Sequence, residues 1–338
     1  MTSGSRADMR RTLVVLTLLA LLCWSAVGCK LASSLGWLPR PTVTFTITPT
    51  PLPTATPTAT ATPTPTLTPT PTAEPLRLTV SLRPPQVRQG HTLLIELQAN
   101  RAITVAGVFD ARQLAFAPQP SAAWALVGVP VQAEAGEHPL QVSIVDSKGS
   151  NISTTFAVTV LPVEFGAEDI HVPLDRMSLL NPGVVMADAQ VLDQAFSART
   201  PQQYWNGAFL QPVAGPLTSA FGMWRTYNDG RNGYHTGVDI GSDEGAPVAA
   251  ANAGKVVLAT ALQVHGNTVI VDHGWGVFTA YYHLSQTVVS AGQQVAQGET
   301  LGLVGNTGLS TGAHLHWDVR VGGVPVNPLE WLSRTLPE

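Results

Sequence analysis

From Pro41 to Pro75 the chain consists almost entirely of Pro, Thr and Ala, in alternating units such as Thr62-Pro63-Thr64-Pro65. Ten of the 27 prolines lie in this tract. Each one removes a backbone donor and restricts the chain to extended or turn conformations. The tract buries too little apolar area to offset the cost of ordering, so it reads as a solvated, polyproline-II-like stalk. At about 3.1 Å per residue, the 35 residues reach on the order of 100 Å when extended. No single fold can run through such a segment, so residues 30–75 are read as a Pro/Thr-rich stalk with structure on either side.

On the N-terminal side, Arg6, Arg10 and Arg11 precede an uncharged run from Leu13 to Val27 that ends at Gly28, Cys29 and Lys30. A basic start followed by an apolar run is an export signal, which places residues 1–29 as a leader and the remainder outside the cytoplasm. Three readings stay open: a cleaved secretory signal, an uncleaved membrane anchor, and a lipoprotein signal. The last rests on Ser25-Ala26-Val27-Gly28-Cys29, which resembles the bacterial lipoprotein cleavage box in which the Cys is lipidated. Cys23 and Cys29 are the only cysteines, so everything after position 29 lacks a disulfide framework and thiolate metal ligands. Any metal there must be held by His, Asp or Glu.

Residues 76–162 alternate short apolar runs with turn residues. Leu78 to Leu82, Thr92 to Leu97, Ile103 to Val108, Ala123 to Val129, Leu140 to Val145 and Thr154 to Val160 read as strands, with breaks at Gly90, Asn100, Gly136 and Lys148-Gly149-Ser150. Six or seven short strands in this length predict an immunoglobulin-like β-sandwich, folding independently as a spacer or docking unit. His91 and His138 read as polar loop residues. Residues 163–204 form a connector with a short helix over Met186 to Ser197 and a start signal at Asn181-Pro182. His171 reads as exposed or structural.

Residues 205–338 are rich in glycine, and β-type runs return at Val248 to Ala251, Lys255 to Ala261, Thr268 to Asp272, Phe278 to Leu284, Thr300 to Val304 and His314 to Val321. The fold class is therefore all-β. In His314-Leu315-His316-Trp317-Asp318 the two histidines are two residues apart, so on a strand they share one face. Two imidazoles side by side can serve one metal, although a pair of solvent-facing histidines has the same spacing. His235-Thr236-Gly237-Val238-Asp239 adds a His and a carboxylate four apart. Two His and one Asp would match the protein-ligand count of a catalytic zinc with an open position, and two further histidines could then move protons near pH 7. Spacing alone does not say which histidines ligate. His265 and His273 read as structural or exposed.

Several distinctive words follow one another in this region: Thr218-Ser219-Ala220-Phe221-Gly222, Tyr234-His235-Thr236-Gly237-Val238-Asp239-Ile240, Gly266-Asn267-Thr268-Val269, Tyr282-His283-Leu284-Ser285 and Thr311-Gly312-Ala313-His314-Leu315-His316-Trp317. Together they resemble the lysostaphin/LytM-type zinc metallopeptidases over roughly Trp205 to Leu332. The resemblance implies a zinc ion held by His235, Asp239 and His316, with His283 and His314 as the catalytic pair. It further implies hydrolysis of amide bonds in the peptide part of bacterial peptidoglycan. Two positions depart from the pattern: Ala313 stands where Pro is common, and Trp224 where an Arg often follows the Phe-Gly word, with Arg225 one place later. No His-Glu-x-x-His word occurs, so a thermolysin-type site is unsupported.

The same resemblance extends to silent wall-binding regulators that activate other hydrolases. These typically lose metal residues, whereas all five positions are filled here. With 18 basic against 22 acidic residues the net charge is −4, so no positive field exists to hold a nucleic acid. The expected partners are peptidoglycan and a membrane, through the N-terminal lipid or signal anchor.

Overall fold

The computed structural model describes residues 43–46 and 74–337. The export signal and most of the stalk lie outside the described residues. The described part is mainly strand, and each of the twelve runs read as a strand overlaps one.

Two five-stranded sheets form the first part. One runs Val43–Thr46, Arg77–Arg83, Thr92–Ala99, Ala122–Gly128, Ala117–Gln119; the other runs Gln86–Arg88, Asn151–Leu161, Gly136–Asp146, Ile103–Phe109, Arg112–Leu114. Their facing residues, among them Leu78, Val80, Leu93, Ile95, Phe109, Leu140, Val142 and Ile144, make one core. Gly136–Asp146 shows the alternation that such a sheet requires: Leu140, Val142 and Ile144 are buried, while Gln141, Ser143 and Val145 are exposed.

Thr92–Ala99 and Ala122–Gly128 break that alternation because both of their faces are covered. Leu93, Ile95 and Leu97 point into the core between the two sheets, whereas Leu94, Trp124 and Leu126 belong to a second core shared with Trp205, Trp317, Val319 and Val321. Trp124 meets Trp205 edge-on at 6.3 Å and Trp275 at 5.8 Å. The described residues accordingly form one compact unit. This corrects the expectation of an independently folded spacer: the outer face of its first sheet is apolar and is covered by the C-terminal region.

Three further readings are corrected. Val43–Thr46, expected in the stalk, pairs antiparallel with Arg77–Arg83. Its four residues contain no proline and are β-branched or aromatic, so they keep every ladder donor. The connector helix spans Pro182–Phe196 and so begins earlier than its apolar spacing suggested. Asn181 caps it through an acceptor bond from Gly183 N, with Pro182 at the first position, and this start signal outweighs the weak helix formers Gly183, Val184 and Val185. His138, read as a loop residue, lies on Gly136–Asp146 and pairs with Asp110 at 2.9 Å.

The C-terminal sheet has the order Leu217–Ser219, Val238–Gly241, His314–Val321, Val277–Leu284, Gly266–Gly274, Gly254–Leu262, Gln294–Val295, with Val324–Val326 added beside His314–Val321. A three-stranded sheet combines Ala167–Ile170 with Trp224–Tyr227 and Asn232–Tyr234. Its first strand comes from the connector, so backbone pairing crosses the boundary at 204/205.

Candidate metal centre

Strand register assembles the site. Asp239 lies opposite His316 on one side, and Tyr282 lies opposite His316 on the other. His314, His316 and Asp318 share a face of their strand by simple alternation. His235 reaches the same face from the turn before Val238–Gly241. Gly237 permits this approach, because a side-chain carbon there would collide with the Trp317 carbonyl and the Asp318 carboxylate.

His283 arrives by a different route. Alternation from Tyr282 would turn it to the opposite face. The pairing of Gly266–Gly274 with Val277–Leu284 shifts register between Asn267 and Val269, however, and His283 adopts φ 61°. The extra residue of this bulge puts Tyr281 and Leu284 in one core while Tyr282 and His283 both face the site. The His283 ring centre lies 5.0 Å from His314 and 6.2 Å from His316. A left-handed non-glycine residue costs on the order of 1–3 kcal/mol, which the surrounding contacts must outweigh.

His235 Nε2, Asp239 Oδ1 and His316 Nδ1 converge: the nitrogens are 2.9 Å apart, and the oxygen lies 3.1 Å from the first and 2.7 Å from the second. All three residues are buried. The opposite nitrogen of each ring is already engaged. His235 Nδ1 donates to the Ala220 carbonyl at 2.8 Å, and His316 Nε2 donates to Asp318 Oδ1 at 2.9 Å. Each acceptor fixes the tautomer, so the converging atoms are two nitrogen lone pairs and one carboxylate oxygen. Three acceptors facing one another require a cation between them, and these residues could hold a metal ion. Burial lowers the affinity of His316 for a proton, yet Asp239 and Asp318 outweigh it and push the pKa up to about 9. The same negative potential that attracts a proton attracts a divalent ion.

His283 and His314 stand beside this set. His283 Nδ1 donates to the Thr307 carbonyl at 2.9 Å and His314 Nδ1 to the Gly312 carbonyl at 2.8 Å, so both rings present Nε2 to the site. His314 Nε2 is 3.7 Å from Asp239 Oδ1. Burial, followed by the neighbouring His314 and His316, holds His283 well below the ordinary histidine range; burial also lowers His314. Both are therefore neutral imidazoles near pH 7, able to accept a proton. Burial raises the Asp239 carboxyl, but His235 and His316 outweigh it and keep the group ionised.

The five residues singled out from sequence are thus brought together. His265 and His273 are not part of the set. His265 pairs with Asp188 at 3.1 Å, and His273 is buried between the Ala253 carbonyl and Thr279 Oγ1. Two supporting groups were missed. Asp318 could have been found, since it follows His316 by two residues on the same face. Arg225 was noted only as displaced; its guanidinium contacts Asp239 Oδ2 and Glu168, while Trp224, partly exposed, packs on Tyr234 at 4.8 Å.

Residues 233–328 match Peptidase family M23 and form a domain of that type. Three relatives are similar over this region. DD-carboxypeptidase/endopeptidase Mpg of Neisseria meningitidis is 43% identical over 95 residues, 28% of this chain and 22% of that protein. Peptidoglycan DD-endopeptidase ShyA of Vibrio cholerae is 42% identical over 96 residues, again 28% of this chain and 22% of that protein. Murein hydrolase activator EnvC of Escherichia coli is 34% identical over 135 residues, 38% of this chain and 30% of that protein. The chain thus spans under a third of the length of each. A solved M23 structure from Pseudomonas aeruginosa superposes with a TM-score of 0.52 at 26% identity, covering 75% of this chain and 97% of that one.

Proposed function

We propose that the M23 domain makes this chain a zinc-dependent endopeptidase that hydrolyses amide bonds in the peptide part of bacterial peptidoglycan. The observation that carries the reading is the convergence of three acceptor atoms, His235 Nε2, Asp239 Oδ1 and His316 Nδ1, beside two neutral imidazoles. Two nitrogens and one oxygen suit zinc, and their second partners hold the rings in the required orientation. Zinc bound there would supply Lewis acidity toward the scissile carbonyl and make a water more acidic. His283 and His314 then divide the proton work: one Nε2 accepts the proton of the attacking water, and a protonated imidazole returns one to the departing amine. Likeness to two relatives named for endopeptidase activity, one of them for peptidoglycan, supports the choice of substrate.

We further propose the domain plan that the sequence suggests: an export or lipoprotein signal, a stalk, and an immunoglobulin-like sandwich that carries the peptidase outside the cytoplasmic membrane. Its anchorage rests on Cys29 and the apolar run before it. Labelled palmitate should enter the parent chain and be lost in Cys29→Ala.

A second reading, a silent activator of other wall hydrolases, is favoured by the likeness to EnvC. Against it stands the filled set of five residues. Purified full-length protein with zinc should release new amino groups from cell-wall preparations without new reducing sugar ends, and a chelator should stop the release. Sugar ends without amino groups would indicate a glycosidase. If neither appears with zinc present, the activator reading takes its place.

A further inference from the structure

Three residues that precede the 233–328 match each hold a different part of the site. Glu168, on the Ala167–Ile170 strand, accepts from Ser219 Oγ at 2.6 Å and from Arg225 Nε. Arg225 in turn holds Asp239 Oδ2, and Ser219 Oγ lies 3.3 Å from His235 Nδ1. Arg176, in the 3-10 segment Leu174–Leu180, directs Nη1 at three oxygens of one loop: Asn306 Oδ1 at 3.0 Å, the Gly308 carbonyl at 3.1 Å, and the Ser310 carbonyl. That loop supplies the Thr307 carbonyl to His283, and Ser310 Oγ is 3.3 Å from His314 Nδ1. Asp188, buried on the Pro182–Phe196 helix, accepts the backbone N–H groups of Gln263, Val264 and His265 at 3.1, 2.7 and 3.2 Å. The His265 carbonyl then accepts the N–H of His283 at 2.9 Å.

We propose that residues 167–188 are a positioning brace for the hydrolytic site: Glu168 sets Asp239 through Arg225, while Arg176 and Asp188 set the backbone that aims His283 and His314. The inference deepens the peptidase reading and rests on it.

The physical need is clearest at Asp239. A carboxylate can present either oxygen, and Arg225 on Oδ2 leaves Oδ1 facing His235 and His316. An unaccompanied guanidinium would also oppose a divalent ion a few ångströms away. Glu168 cancels that charge, so the group Asp239, Arg225 and Glu168 retains a net negative charge where the metal binds. His283 needs its own support because its left-handed backbone persists only where neighbouring contacts enforce it. Asp188 and Arg176 secure the two segments that bond to its N–H and its ring. Arg176 meets neutral oxygens of a single loop, an arrangement that sets the loop's curvature.

The test uses the full-length chain. Zinc affinity, measured by competition with a chromophoric chelator, should weaken about 10–100-fold in Glu168→Gln, and Glu168→Asp, which keeps the charge, should recover part of it. Parental affinity in Glu168→Gln, or equal affinities in the two variants, overturns the proposal. Arg176→Ala should keep its zinc while kcat on peptidoglycan fragments falls about 10–100-fold, with KM less affected and part of the rate restored by added guanidinium. A kcat within twofold of the parent, or a loss that guanidinium does not relieve, removes Arg176 from the brace. Should the parent chain cleave nothing, the peptidase reading fails, while the zinc measurements on Glu168 still decide whether the brace exists.

Discussion

His316 Nε2 and Asp318 Oδ1 lie 2.9 Å apart on one face of the same strand. With that nitrogen committed as a donor, only Nδ1 remains to meet Asp239 and His235. Asp318 thereby acts on the site without touching its centre.

Replacing Asp318 by Asn keeps the size but removes the charge that holds the ring and raises its basicity. Zinc affinity in Asp318→Asn should fall about 10–100-fold while the fold is retained. Chelator competition gives the affinity, and a circular dichroism spectrum matching the parent confirms the fold. Unchanged affinity would show that ring packing alone orients His316.

The two classes of histidine should separate experimentally. His316→Ala should lose metal content and activity together, because it removes one of three converging donors. His283→Ala should keep the metal yet lose about 10²–10⁴-fold in turnover, the usual contribution of a general acid or base. Metal analysis on dialysed protein together with peptide-release assays tests both. Full turnover in His283→Ala would dismiss it as a proton carrier.

Because Trp124 and Leu126 share a core with Trp205 and Val319, unfolding should be a single event across residues 76–338. Calorimetry should show one transition with equal calorimetric and van't Hoff enthalpies. Trp124→Ala should cost about 3–5 kcal/mol and lower the temperature at which peptidase activity is lost. Two resolved transitions would mean that the two β regions melt separately.

Acid should weaken the fold in two windows. His273, pushed down to about 4 by burial, stays neutral when folded but titrates near the ordinary 6.5 when unfolded. The unfolded state therefore binds more protons between these values, and the associated stability is lost as pH falls from 6.5 through about 4. Burial raises the Asp188 carboxyl, but His265 and the backbone N–H groups of residues 263–265 outweigh it and bring it to about 2, below the usual 3.8. Its contribution is complete above 3.8 and disappears as pH falls through about 2. Thermal midpoints against pH should lose the upper slope in His273→Gln and the lower one in Asp188→Asn. Curves parallel to the parent would contradict the assignment.

Much of this was visible in the residues themselves. His314 and His316 announced a shared face because strand alternation is a local rule, and the same rule, carried two residues further, would have added the missed Asp318. The continuous apolar stretch from Leu93 to Ile95 and the run from Ala122 to Val127 carry the mark of a sheet covered on both sides, distinct from the alternation of Leu140 to Ile144, but the expectation of an independent spacer overlooked it. Other features had no local sign. Glu168 and Arg225 are 57 residues apart, and neither segment carries a pattern that pairs them. The turning of His283 depends on a bulge against Gly266–Gly274, and a histidine, though enriched at left-handed positions, does not mark one by itself. Val43–Thr46 was hidden by its proline-rich surroundings.

The strand His314–Val321 sits in the middle of its sheet, between Val238–Gly241 and Val277–Leu284, although it comes late in the chain. A chain that emerges from its N-terminus first must wait for this strand with both neighbours unpaired on that side, a gap open to mispairing. His316, 81 residues after His235, arrives with it. The convergence of His235, Asp239 and His316 is consequently absent from every shorter nascent form, and synthesis order itself keeps the site unformed until its sheet is closed.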